Sequence, residues 1–289
     1  MTPARLLLSL AVFAAAHGGA TAAERDPAER GRYLAAAASC ETCHTAEGGQ
    51  PFAGGRALKT PFGTFYTPNI TPDGETGIGR WTESQFLRAL REGVRPDGAD
   101  YYPAFPYTSF TKLADADALA IRAYLSSIPA VRQPNRPHAL SFPYSWRFLL
   151  NGWKWLFFDP GRFRPMPGRS AEENRGAYLV TAVVHCGECH TPRNSLGAMD
   201  NDRFLAGNPA GPDGKSVPNI TPDPKAGIGN WSEDEIVQVL TDGQTPNFDE
   251  VAGSMAEVVR NTARLSPEDR RAIAAYLQLV PPVPGPKRK

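Results

Sequence analysis

Cysteine is scarce in this chain. Its 289 residues contain four, and all four fall inside two C-x-x-C-H pentapeptides, "CETCH" (40–44) and "CGECH" (186–190). That placement argues against a disulfide framework, in which distant loops are stapled together, because each pair sits two residues apart beside a histidine. Methionine is equally rare, with Met1, Met166, Met199 and Met255 only, and histidine numbers five. Net charge is almost absent at +1, so a nucleic-acid role has no electrostatic footprint. Long apolar runs are missing too. The most apolar stretch of the leader, Leu6 to Ala16, falls short of the roughly 20 residues that span a bilayer.

What is present begins with "MTPARLLLSLAVFAAAHGGATAAERD", a basic start at Arg5, an apolar centre, and small residues from Gly19 to Ala23. This is the pattern of an exported precursor, with residues 1–23 expected as a signal peptide cleaved near Ala22 or Ala23; the alternative is a short uncleaved anchor. The mature chain is expected in the periplasm, soluble or peripherally associated with the inner membrane. Removing residues 1–22 takes away Arg5 alone and leaves 30 basic against 30 acidic residues. Arg162, Arg164, Arg169 and the terminal "PKRK" gather basic charge, read as solvated surface, with a docking face for an acidic partner as the alternative.

Two thiols spaced two residues apart are placed to form thioethers to haem vinyl groups, and the adjacent histidine is placed to ligate the iron. Cys40, Cys43, Cys186 and Cys189 are therefore the expected attachment residues of two covalently bound haem c groups, with His44 and His190 as proximal ligands. A zinc reading needs four ligands per site, or pooling of both pairs. The halves match beyond these motifs. "TPNITPDGETGIGRWTESQFLRAL" (67–90) parallels "VPNITPDPKAGIGNWSEDEIVQVL" (217–240), and the interval from Asn69 to Trp81 equals that from Asn219 to Trp231. Internal repetition of this kind means two copies of one domain.

Each copy reads as helical. Apolar residues recur at helical spacing before the haem cysteines, Thr82/Gln85 and Ser232/Glu235 have capping-box spacing, Gly93 and Gly243 mark helix stops, and Pro267 sits early in a final helix. The glycine- and proline-rich loops ending in "PNITPD" are expected to make turns, with no convincing strand anywhere. The expected fold class is all-α: two tandem cytochrome c-like domains, 24–130 and 171–283, joined by an aromatic-rich connector (131–170) and followed by a basic tail (284–289). The connector's "SWRFLLNGWKWLFF" is either a linker helix packed on both domains or an exposed contact for a larger subunit or a membrane surface, the latter through 146–158.

A second axial ligand ordinarily comes from a loop downstream of the haem histidine, and methionine there raises the potential relative to a second histidine. Met255 lies 24 residues after Trp231, in the late loop of the second copy, and is the expected second ligand of that haem. Met199 follows its motif too closely, and Met166 belongs to the connector. The same interval from Trp81 ends on Phe105, which cannot coordinate iron. The distal side of the first haem, around Tyr101, Tyr102 and Phe105, is therefore open or water-bound, or closed by a substitute. The substitutes are Tyr101, Tyr102 or Tyr107, His138, His185 reaching across from the other copy, or a methionine from elsewhere.

"NRGAYLVTAVVHCGECHTPRNSLG" (174–197), the duplicated "PNITPD…GIG.W" and "YYPAFPYTSFTKLADADALAIRAYLSSIPAV" (101–131) resemble the cytochrome c subunits of membrane-associated bacterial alcohol and aldehyde dehydrogenases and of molybdenum hydroxylases of the nicotinate dehydrogenase kind. That family commonly carries three haems; this chain resembles its shorter diheme relatives. The resemblance implies that the chain accepts electrons from a partner dehydrogenase and passes them to a quinone, another cytochrome or an oxidase, without catalysis of its own. It also implies a distal methionine where this chain has Phe105. The rival reading is a haem enzyme, a sulfur-compound dehydrogenase or peroxidase-like reductase, working at an open first haem.

Overall fold

The structure, a computed structural model, describes residues 26–211 and 214–284. The leader and most of the basic tail lie outside those residues. Helix α1 (Pro27–Ala37) starts where Asp26 accepts a hydrogen bond from the Ala28 amide and proline occupies the first turn. A one-turn helix α2 (Cys40–Cys43) carries the first cysteine pair. Helix α3 (Glu83–Glu92) shows the anticipated capping box between Thr82 and Gln85 and stops at Gly93 in the left-handed conformation. A short α4 (Tyr107–Phe110) and the closing α5 (Asp115–Ser127) complete the first half.

The second half repeats this. Helix α7 (Ala171–Tyr178) begins with a Ser170/Glu173 capping box and runs into a π-helical turn, Leu179–Val183. Next comes α8 (Gly187–His190), then α9 (Glu233–Asp242) with its Ser232/Glu235 box and left-handed Gly243. Helices α10 (Ser254–Thr262) and α11 (Pro267–Leu279) close the half, α11 with Pro267 in its first turn.

The expectation of no strand is corrected. Strands β1 (Ala57–Thr60) and β2 (Gly63–Tyr66) form an antiparallel hairpin with Leu58 opposite Phe65, and β3 (Ala139–Leu140) adds to β2 through Thr64 and Ala139. Each strand is too short to show a period, and the third comes from the distant segment after α5. The sheet has its own small core of Phe65, Tyr102 and Leu150, apart from the main one. The connector accordingly lies mostly against the first half. Its helix α6 (Leu149–Phe157) buries only Leu150, while Trp153 donates its indole N–H to the Leu196 carbonyl of the second half at 2.9 Å. Phe142, Trp146, Phe148, Trp155 and Leu156 remain exposed.

One continuous apolar core runs through both halves, from Leu34, Phe86 and Ile121 to Leu179, Leu240 and Ile273. The join is made by a tetrapeptide present twice, "RGRY" (30–33) and "RGAY" (175–178). Each glycine lets its helix touch the closing helix at backbone distance: a Cβ at Gly31 would lie 1.8 Å from the Ala120 carbonyl, and one at Gly176 1.8 Å from that of Ala272. Each arginine binds the aspartate of its own half, Arg30 to Asp117 at 2.7 Å and Arg175 to Asp269 at 2.8 and 2.7 Å. The tyrosines cross. The Tyr33 hydroxyl donates to Asp269 at 2.6 Å and the Tyr178 hydroxyl to Asp117 at 2.6 Å.

Gly176→Ala should cost about 3 kcal/mol, the upper end of overpacking, because the obstructing atom is backbone; a denaturant titration checks this. The crossed pair also sets the response to pH. Burial alone would raise the Asp269 carboxyl, but hydrogen bonds from Arg175 and Tyr33 and the charges of Arg175 and Arg30 outweigh it and hold the group below the usual carboxylate range. Its folded pKa is thus below the unfolded value of about 4, so its contribution is present above that value and is lost as pH falls through the folded one. Burial first, and then the bond to Asp269, pushes Tyr33 up to about 12. That contribution is complete below the unfolded value of about 10 and is lost as pH rises through the folded one. Thermal unfolding should therefore show a plateau between about pH 5 and 9 that falls on both sides. Tyr33→Phe should blunt the alkaline fall and lower the plateau by about 1–2 kcal/mol, a charged-group hydrogen bond discounted for partial exposure.

Candidate haem sites

Both cysteine turns leave their preceding helix through a left-handed residue, Ser39 (φ 57°) before Cys40 and His185 (φ 48°) before Cys186. A side chain in that region costs about 1–2 kcal/mol, and the same strain at both motifs changes the chain direction just before each one-turn helix. Inside each turn the histidine amide closes the loop, from His44 to the Cys40 carbonyl at 2.9 Å and from His190 to that of Cys186 at 3.0 Å.

None of the four thiols is in a disulfide. Burial pushes Cys40 and Cys186 up to about 12 and Cys189 up to about 11, and raises Cys43 as well. These are neutral thiols in apolar surroundings, in keeping with bonding to an apolar vinyl carbon. Among the described residues no group of three or more His, Cys, Asp and Glu side chains is arranged to hold a metal ion.

Each histidine ring is fixed by a carbonyl: His44 Nδ1 lies 2.7 Å from the Pro68 oxygen and His190 Nδ1 2.8 Å from the Pro218 oxygen. A carbonyl only accepts, so Nδ1 carries the proton and Nε2 would be the nitrogen to ligate an iron. Burial lowers the pKa of His44, which favours the neutral imidazole that ligation needs. The "PNITPD" loops hold those carbonyls in place. Asn69 is buried, its oxygen accepting from the Thr71 amide at 2.9 Å and hydroxyl at 2.8 Å while its amide donates to the Val131 carbonyl at 2.7 Å. Asn219 does the same with Thr221 and with the Val283 carbonyl at 2.7 Å. Each loop is thereby tied to the chain leaving the closing helix.

The register between halves continues to the distal side without insertion. The Tyr101 amide donates to the Gly93 carbonyl at 2.7 Å, as the Val251 amide does to that of Gly243 at 3.0 Å, and Phe105 and Met255 each follow four residues later. Met255 is the second residue of α10 and is half-buried. Phe105 packs edge-on against Tyr101 at 5.3 Å and Phe110 at 5.8 Å, with Tyr107 at 6.4 Å.

The structure separates the other expected distal residues from Phe105. Tyr102 turns into the small sheet core and donates its hydroxyl to the Tyr144 carbonyl at 3.0 Å. His138 stacks there too, 5.3 Å from Phe65, and accepts from the Tyr66 amide at 3.2 Å. His185 is held at the seam, its Nε2 3.3 Å from the Ala38 carbonyl and its ring 5.4 Å from Phe110. Met166 donates its amide to Asn174 at 2.6 Å beside the start of α7. Burial pushes Tyr101 up to about 12 and raises Tyr107 further, which disfavours a phenolate at either position.

Two family profiles match the chain. The family described as Cytochrome c matches residues 28–129, and that described as Cytochrome C oxidase, cbb3-type, subunit III, matches residues 171–277. A diheme c-type cytochrome of Cereibacter sphaeroides is 46% identical over 263 residues, which cover 89% of this chain and 86% of that protein. The chain belongs to the diheme c-type cytochromes. It is also similar to a nicotinate dehydrogenase subunit of Pseudomonas putida, 48% identical over 250 residues, 86% of this chain but 21% of that protein. The cytochrome c subunit of the alcohol dehydrogenase (quinone) of Gluconacetobacter polyoxogenes is 40% identical over 293 residues, 97% of this chain and 62% of that protein. The cytochrome therefore spans nearly all of one relative and less than two thirds of the other two.

Two cytochrome c domains and two covalently bound haem c groups follow from that membership, and the residues present fit them: two neutral thiols beside one carbonyl-fixed imidazole, twice. Haem supplies reversible one-electron storage at iron. Half-buried apolar side chains, Ile70, Ile78 and Trp81 in the first half and Ile220 and Trp231 in the second, pack against the common core to which Cys40 and Cys186 also belong. No helix among the described residues is long and apolar enough to cross a membrane. Sequence reasoning missed Glu188 and Asn261, whose significance appears only when the halves are docked. Asn219→Ala should leave the buried Thr221 amide short of its acceptor and loosen the tie to Val283, at a cost of about 1–3 kcal/mol, with urea unfolding of the holoprotein as the measurement.

Proposed function

We propose that this cytochrome is the electron-transfer subunit of a dehydrogenase complex, exported to the periplasm, taking electrons one at a time from a partner dehydrogenase and passing them to a quinone, another cytochrome or an oxidase. In this reading Cys40 and Cys43 attach the first haem and Cys186 and Cys189 the second, His44 and His190 are the proximal ligands, and Met255 is the distal ligand of the second haem. The observation that carries it is the duplicated attachment turn and carbonyl-fixed histidine set in one continuous core, an arrangement suited to holding two irons rigidly within one interior. The relatives named as dehydrogenase subunits support the partner. The exposed aromatic side chains of the connector, with Trp155 84% exposed, give that partner or the membrane surface, through 146–158, an apolar contact.

Phe105 in the place of Met255 favours a second reading, in which the first iron is open and a haem enzyme works there. Against it stands the character of that pocket, phenyl and neutral phenol with no acid–base histidine beside Phe105. Low-temperature electron paramagnetic resonance of the oxidised protein, with Met255→Ala alongside, tests both. The expected native spectrum has one high-spin and one low-spin ferric signal. Met255→Ala should remove the low-spin signal and leave the high-spin one. Haem reduction by organic substrate without a dehydrogenase present would sink the carrier reading.

A further inference from the structure

The segments that follow Phe105 and Met255 do not end at their own haem sites. Each reaches across the seam and grips the other half's attachment turn. From the first half, the Thr108 and Ser109 hydroxyls in α4 donate to the same carboxylate oxygen of Glu188 at 2.8 and 2.7 Å. Glu188 lies between Cys186 and Cys189, and its other oxygen accepts from Arg193 at 2.6 Å. From the second half, the Asn261 amide in α10 donates to the hydroxyls of Ser39 at 2.9 Å and Thr42 at 3.0 Å. Thr42 lies between Cys40 and Cys43, and Arg56 joins its carbonyl, at 2.8 Å, to Glu257, also at 2.8 Å, two residues beyond Met255.

Glu188 and Asn261 are both nearly buried, so a lost partner at either is poorly replaced by water. A displacement of either distal segment is therefore passed to the peptide that carries the other half's thioethers. We propose that Thr108, Ser109 and Glu188 on one side, and Asn261, Ser39 and Thr42 on the other, are positioning residues that couple the two haems, so that the ligation and oxidation state of one sets the potential of the other. Coupling between two binding equilibria is reciprocal, and the near-symmetry of the two sets of contacts gives it a route in both directions.

The inference rests on Met255 and Phe105 marking the distal sides, and the two readings can fail separately. If Met255→Ala leaves the low-spin signal unchanged, the assignment of the arms is wrong. With the arms identified, spectroelectrochemical titration of the holoprotein tests the coupling. Thr108→Val combined with Ser109→Ala, both in the first half, should shift the reduction equilibrium of the second haem at least threefold, about 28 mV at 59 mV per tenfold for a one-electron couple. Asn261→Ala should shift the first haem by a similar factor. Thr108→Ser, which keeps the hydroxyl, should behave as the native protein.

Tyr178→Phe supplies the control, because it loosens the same seam without touching either attachment turn, and it should leave both potentials in place. Potentials that move only in the substituted half would overturn the proposal. So would equal shifts in Tyr178→Phe, which would reduce the contacts to general support of the interface. Haem content and far-ultraviolet circular dichroism identify a variant that has not folded, and Glu188→Gln then substitutes for it. That variant keeps an acceptor for both hydroxyls but removes the charge that Arg193 meets, and it should shift the first haem as well as the second; a shift confined to the second haem, or none, would count against the coupling.

Discussion

Asp117 and Asp269 are carboxylates taken out of water, and the two halves hold together in a way that makes this tolerable. The Asp117 side chain is 4% exposed and that of Asp269 12%. An unpaired carboxylate at such a depth would cost several kcal/mol. Each is met instead by the arginine of its own half and the tyrosine of the other, and each sits in the first turn of its closing helix, where the dipole favours negative charge. The tyrosines act twice, because their oxygens also accept from the Ser266 amide at 3.0 Å and the Ala114 amide at 3.2 Å. Neither half can satisfy its own aspartate fully, so separation leaves two buried charges each short of a donor. The arrangement makes one cooperative body of two domains.

That body has a functional consequence at the cysteine turns. The seam closes at the crossed tyrosines and again at Glu188 and Asn261, so both attachment turns lie on it. Two separately tumbling domains would hold their haems at varying distance and in contact with water. Here the turns share an apolar interior, where a charge gained at one site is poorly screened from the other. The symmetry is imperfect in a way that matters. Thr42 is neutral where Glu188 carries a charge, Phe105 stands where Met255 does, and the first half has the sheet and most of the connector against it.

Much of this is legible in the sequence, and the rest is hidden for identifiable reasons. The C-x-x-C-H motifs, the "PNITPD" repeats and both capping boxes are local, so a single turn of chain contains the whole of their logic. The absence of methionine at Phe105 is legible because the repeat supplies a ruler, and the hydrogen-bonded hairpins after Gly93 and Gly243 keep that ruler true to within a residue. The "RGRY" and "RGAY" tetrapeptides are equally visible but mute, since a glycine beside an arginine means little until Ala120 and Ala272 are known to lie against it. The side on which Tyr102 and His138 pack is hidden for a related cause. Adjacent residues in an extended stretch point to opposite sides, and only the unforeseen strand shows which side Tyr102 takes.

The substitution at Phe105 is best understood against the rigidity of its surroundings. A loop that lost its ligand in a loose domain would be expected to collapse toward the haem face. Here Phe105 is wedged between Tyr101 and Phe110, while the turn that follows is fastened through Thr108 and Ser109 to the other half. The aromatic side chain fills the place of a thioether with an apolar surface of similar reach, and the segment keeps its course. On the proposed reading, losing a ligand at that position would change the iron's coordination without changing the fold. A duplicated scaffold can in this way carry two chemically different haems on nearly identical backbones, provided the contacts that hold each distal segment lie in the partner domain and not on the iron.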